Sequence, residues 1–175
     1  MTAESRKALL IIDMLNDFVS DKGALLVPEA KNILPHIKRE LENAGSKGIP
    51  TIYICDSHDE RDSEFDCWPK HAVANSWGSQ VVNDLAPREK DYVVSKRRYS
   101  GFFATDLDLL LREMRVETLI ITGVVTNICV FFTAVDAYMR GYKIIIPRDC
   151  VTGLNSEDHN HALEQLRQLC NARPA

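Results

Sequence analysis

The sequence contains no CxxC pair, and its five cysteines, at 55, 67, 129, 150 and 170, form an odd set. This speaks against a zinc ribbon and a disulfide framework, so free thiols are expected, one or two of them special. No apolar run approaches the length needed to span a bilayer, and the opening MTAESRKALLIID lacks the apolar segment of a signal peptide. The expectation is a cytoplasmic protein with no membrane partner. Apart from a local cluster at Lys96, Arg97 and Arg98 there is no basic stripe, and the formal charge is −4, which excludes nucleic acid as the natural partner. Internal repeats and low-complexity tracts are also missing. What remains is a chain with 45% hydrophobic and 26% charged residues, read as one domain over residues 1–175 with a full core. A small neutral or anionic molecule suits it as a partner.

The chain alternates buried-strand and helix patterns. Apolar runs at 7–13, 50–55 and 118–123 read as buried strands, and those at 91–96 and 143–146 as further strands. Between and after them, helices are expected at 29–44, from Thr105 and Asp106 to about Met114, at 127–140 and from Ser156 to Leu169. A sixth strand after Cys170 is a further option. This order implies an α/β fold with a mostly parallel five- or six-stranded sheet covered on both faces.

In such a sheet all strand carboxyl ends point to one edge. Asp13 ends the first run, Asp56 follows the second, Lys96 follows the third, and Cys129 lies near the start of the helix after the fourth. Thr126 and Asn127 have the side chains of N-cap residues there, and Gly141 suits the left-handed position after the helix. A thiol at a helix N-terminus, with an ammonium nearby, is expected to be favoured as thiolate. A carboxylate, an ammonium and a thiol at one edge form a nucleophile set: Asp13 moves the proton, Cys129 attacks, and backbone amides around Val125 and Cys129 receive an oxyanion. Each residue also has a plainer reading, with Cys129 a small buried hydrophobe, Asp13 a turn acid and Lys96 a surface charge.

A second set lies after Asp56. The loop SHDERDSEFDCWPKHAVANSWGS is too long for an ordinary connection. Asp56 and His58, spaced as Asp-x-His on extended backbone, can reach one ion, with His71 as a third ligand and Glu64 between them. Solvated loop charges are the plainer reading. Phe18 and Trp68 are candidate walls for a planar ligand, with core packing the alternative for Trp68.

The blocks ALLIIDMLNDFV, DSH…WPKHAV, VVSKRRYSGFFATDLDLLL and ITGVVTNICVFFTAVDAYMRGYKIIIPRDCV together resemble, over roughly residues 8 to 151, the isochorismatase-like cysteine hydrolases, and most of all the nicotinamidases. The resemblance implies a three-layer α/β/α fold and an Asp-Lys-Cys triad at Asp13, Lys96 and Cys129. It also implies a non-proline cis peptide between Val124 and Val125, with Val125 and Cys129 supplying oxyanion amides. It further implies a divalent metal, commonly zinc, on Asp56, His58 and His71, and a homo-oligomer. The sequence departs from the nicotinamidase pattern in two places. It has no further histidine in the metal loop, where Glu64 or water would substitute, and it carries Ala74, Asn75 and Ser76 where Gly-Thr is common. The implied reaction is hydrolysis of nicotinamide to nicotinate and ammonia through a Cys129 thioester, a step of NAD salvage. The alternatives are another amide hydrolase acting on N-carbamoyl or ureido compounds, and a non-catalytic member that binds a small molecule.

Overall fold

The computed structural model describes residues 6–174. Strands β1 (Lys7–Ile12), β2 (Thr51–Asp56), β3 (Tyr92–Lys96), β4 (Thr118–Val124), β5 (Lys143–Ile146), β6 (Val151–Thr152) and β7 (Arg173–Pro174) form one sheet. The order is β3-β2-β1-β4-β5-β7, with β6 beside the end of β4, and every pairing is parallel. Helices α1 (Asn16–Val19), α2 (Ala30–Ser46), α3 (Leu107–Glu113), α4 (Phe131–Met139) and α5 (Ser156–Cys170) complete the fold.

The continuous apolar runs have a simple cause, because each central strand is buried on both faces. Along β1, Ala8, Leu10 and Ile12 pack into a core with Leu111 of α3, Ala134 of α4 and Leu166 of α5. Leu9 and Ile11 point the other way, into a core with Ile33, Ile37 and Leu41 of α2. All five expected strands are present. The strand anticipated after Cys170 is β7, a two-residue pair with β5, while β6 is too short for any periodicity to announce it.

Local signals hold with two exceptions. Gly141 has φ +88° just past α4, and Asn155 caps α5 by accepting the Asp158 amide at 2.9 Å. Thr126 and Asn127, however, do not cap a helix. They open a π-turn, Thr126–Val130, that leads into α4, and its N-cap position is Val125 with no side-chain cap. The Thr126 hydroxyl is engaged instead by His159 Nδ1 at 2.9 Å. In addition, α2 runs through Gly45 to Ser46 rather than ending at Ala44, and Gly48, with φ +65°, makes the turn.

Candidate active site

Parallel register sets Asp56, the last residue of β2, opposite Lys96, the last of β3. Asp13 follows β1 with φ 52°, a left-handed conformation that turns the chain out of the strand at once. Its amide donates to the Ile54 carbonyl at 2.9 Å, and its Oδ1 accepts the Asp56 N–H at 2.8 Å. Lys96 Nζ lies 2.8 Å from Asp13 Oδ2, 2.5 Å from Asp56 Oδ1 and 3.4 Å from Cys129 Sγ. All four residues are buried. Cys129 comes from the π-turn, which follows a cis peptide between Val124 and Val125.

Electrostatics in this cluster depart from the expectation for the thiol. Burial pushes the Cys129 thiol well above its ordinary range, and the opposing pull of Lys96 is further countered by Asp13 and Asp56. Burial and the two carboxylates thus work against the thiolate that the helix start and Lys96 were expected to favour, because the ammonium already serves Asp13 and Asp56. Burial, and then Asp56, raise the Asp13 carboxyl to about 6 against the pull of Lys96. That is a value suited to taking and returning a proton near neutrality. Burial works against the Lys96 charge, yet Asp13 and Asp56 outweigh it and hold the ammonium well above its usual range. Burial would likewise raise Asp56, but Lys96 and His58 hold it below the usual carboxylate range.

The second set also converges. His58 continues from β2, and its backbone bridges the segment after His71: His58 N donates to Ala72 O at 3.0 Å, and Ala74 N to His58 O at 2.9 Å. Ligand atoms of Asp56, His58 and His71, all buried, lie within 4.8 Å of one another. His71 Nδ1 is 2.7 Å from the Pro69 carbonyl, which can only accept, so the ring donates there and Nε2 is its ligand atom. His58 Nδ1 faces Asp62 Oδ2 at 3.2 Å, and its buried Nε2 has no hydrogen-bond partner. That nitrogen is 3.7 Å from Asp56 Oδ1 and 4.0 Å from Glu64 Oε1. An orphaned imidazole nitrogen between carboxylates is a donor set that fits a divalent cation such as zinc. Asp13, Asp56 and Cys129 are grouped as closely, but there the Lys96 ammonium already fills the cation position.

The two sets open on one pocket. Phe18 and Trp68 both line it, as do Glu64, His71, Val124, Val125 and Cys129. The Phe18 ring lies 5.4 Å from the His71 ring, and Trp68 Nε1 donates to the Tyr99 hydroxyl at 3.1 Å. Asp13, Asp56 and Glu64 contribute acidic groups, and no lysine or arginine is among the lining residues. Sequence reasoning missed Tyr99, which follows the expected strand within a basic cluster and carries no motif of its own. It also missed Asp17, whose Oδ2 accepts the Ala72 amide at 2.8 Å and whose Oδ1 accepts the Ala24 amide at 3.0 Å. Asp62 was indistinguishable by residue type from the other acids of its loop, and only its burial separates it from exposed Asp59, Glu60 and Asp66.

An isochorismatase domain model matches residues 7–173. The uncharacterized isochorismatase family protein YaaI of Bacillus subtilis is 38% identical over 95% of this chain and 92% of its own length. Among solved structures, the nicotinamidase PncA from Bacillus subtilis superposes with a TM-score of 0.92 at 34% identity, covering 97% of this chain and 99% of that one. The N-carbamoylsarcosine amidase from Thermoplasma acidophilum gives 0.89 at 34% identity, over 97% and 95% of the two chains. The pyrazinamidase of Pyrococcus horikoshii in complex with zinc gives 0.90 at 32%, over 97% and 98%.

Proposed function

Because the chain belongs to the isochorismatase family of hydrolases, we propose that it is a cysteine amidohydrolase for a small, neutral, flat carboxamide, with nicotinamide the leading substrate. The observation that carries this choice is the lining of the cavity. Aromatic and aliphatic walls from Phe18, Trp68, Leu25 and Val27 suit a flat, apolar ring.

In this reading Asp13 takes the Cys129 proton as the sulfur attacks the carboxamide carbon. Lys96 keeps its charge throughout and compensates the change of charge between the two. The oxyanion formed is met by the Val125 and Cys129 amides. Asp13 returns the proton to the departing nitrogen, so ammonia leaves and a Cys129 thioester forms. Asp13 then takes a proton from water, which attacks the thioester to release the carboxylate product and the thiol. Asp56, His58 and His71, with Glu64 beside them, would hold a divalent ion such as zinc, which supplies a Lewis acid for a ring nitrogen of the substrate. Phe18 and Trp68 hold the ring and exclude water. The whole of residues 1–175 is taken as one catalytic domain, cytoplasmic and homo-oligomeric.

A second reading is an N-carbamoyl amide hydrolase, favoured by the equal 34% identity to the N-carbamoylsarcosine amidase and by Ala74, Asn75 and Ser76. The test is ammonia release from nicotinamide and from N-carbamoyl compounds, with and without chelator. Nicotinamide turnover that chelator removes and zinc restores supports the leading reading. Turnover of N-carbamoyl compounds alone replaces it.

A further inference from the structure

Asp62 is the most heavily engaged carboxylate outside the triad. Its side chain is 0% exposed, although it caps the 3-10 turn Ser63–Asp66 in a stretch where Asp59, Glu60 and Asp66 are exposed. Oδ1 accepts the Glu64 amide at 3.1 Å and Arg98 Nη1 at 3.0 Å. Oδ2 accepts Arg97 Nε at 2.9 Å and faces His58 Nδ1 at 3.2 Å. The guanidinium groups themselves are about half exposed, at 56% and 42% for Arg97 and Arg98. They follow directly on Lys96, whose carbonyl accepts the Ser57 amide at 2.9 Å.

We propose that Asp62, clamped by Arg97 and Arg98, is a positioning residue that holds His58 with its proton on Nδ1 and its Nε2 lone pair directed at the metal position. The proposal rests on the metal reading of Asp56, His58 and His71. With two arginines fixing the carboxylate, both oxygens can only accept, so the ring atom facing Asp62 is the donor, and in the neutral ring that binds a metal the lone pair lies on the opposite nitrogen. The Glu64 amide bond places Glu64 beside that nitrogen by the same carboxylate. The clamp therefore joins the metal loop to the strand end that carries the triad lysine, and one anchoring point serves both halves of the site.

Replacing Asp62 with asparagine tests this, because the amide NH₂ would face ring and guanidinium donors. The Arg98 and Glu64 bonds can be kept by the amide oxygen, but the His58 proton is then driven to Nε2, the ligand position. Zinc affinity is measured by competition with a chromophoric chelator, and the His58 tautomer by ¹H–¹⁵N spectra of histidine-labelled protein, assigned by loss of the signal in His58→Ala. The expected result is wild-type zinc binding with His58 as the Nδ1–H tautomer in the metal-free protein. Asp62→Asn should bind zinc about 10–100-fold more weakly with the proton moved to Nε2. An affinity in Asp62→Asn equal to wild type, with the tautomer unchanged, overturns the positioning role and leaves the metal reading intact. If wild type binds no zinc, both fall together. Should Asp62→Asn fail to fold, the double variant Arg97→Gln and Arg98→Gln carries the test, since both side chains reach solvent. Weaker zinc binding there supports the clamp, and unchanged binding overturns it.

Discussion

Removing Lys96 leaves Asp13 and Asp56 facing each other in a buried site with no cation between them. Lys96→Met should therefore destabilise the protein by about 3–5 kcal/mol, read from urea unfolding midpoints at constant slope. A loss under about 1 kcal/mol would mean that the two acids are neutral at rest. Cys129→Ala carries no such penalty, because a buried thiol behaves largely as a small hydrophobe. This variant should keep the unfolding midpoint while turnover falls by roughly three orders of magnitude or more. At this scale the sequence was informative about residue type and weak about state. The strand ends singled out Asp13, Asp56, Lys96 and Cys129, yet the upward push on the Cys129 thiol comes from burial and from two carboxylates competing for one ammonium, and neither is written in the spacing.

Among the elements, the pairing of β4 with the end of β1 is the most demanding. Gly123 has φ +109°, and a Cβ there would stand 2.0 Å from the Ile12 carbonyl oxygen, one residue before Asp13. Gly123→Ala should cost more than the ~1–2 kcal/mol of an unfavourable backbone conformation alone, and it should lower kcat by displacing Asp13. Gly141, with φ +88° and open space around its Cβ position, is the control. Gly141→Ala should lose only about 1 kcal/mol, with activity kept, both read by thermal melts and ammonia release. At the start of α5, Asn155→Ala should cost about 1 kcal/mol through loss of the Asp158 amide bond. Strands and helices were legible because each has its own apolar period. The π-turn at Thr126–Val130 was not, because its residues resemble an ordinary helix start until the preceding cis peptide and His159 are seen beside it.

For the whole molecule, the parallel order predicts where opening is hardest. β1 and β4 lie inside the sheet, each paired on both sides. Their amides should exchange with deuterium slowest, and those of residues 59–70 faster by orders of magnitude. Comparable exchange in both regions would show that the metal loop is as cooperative as the core. No helix among the described residues is long and apolar enough to cross a membrane.

The alternation of strand and helix, the shared edge of the strand ends, and the residue types of both the nucleophile set and the ligand set were determined by sequence, because periodicity and strand direction are local properties. Tertiary structure alone decided which acid of a crowded loop is buried against His58, that Tyr99 meets Trp68, and that Asp56 shares the Lys96 ammonium with Asp13. Those outcomes depend on contacts between residues 31 to 40 positions apart. They also depend on which charges lose their water, and no reading of neighbouring residues contains that information.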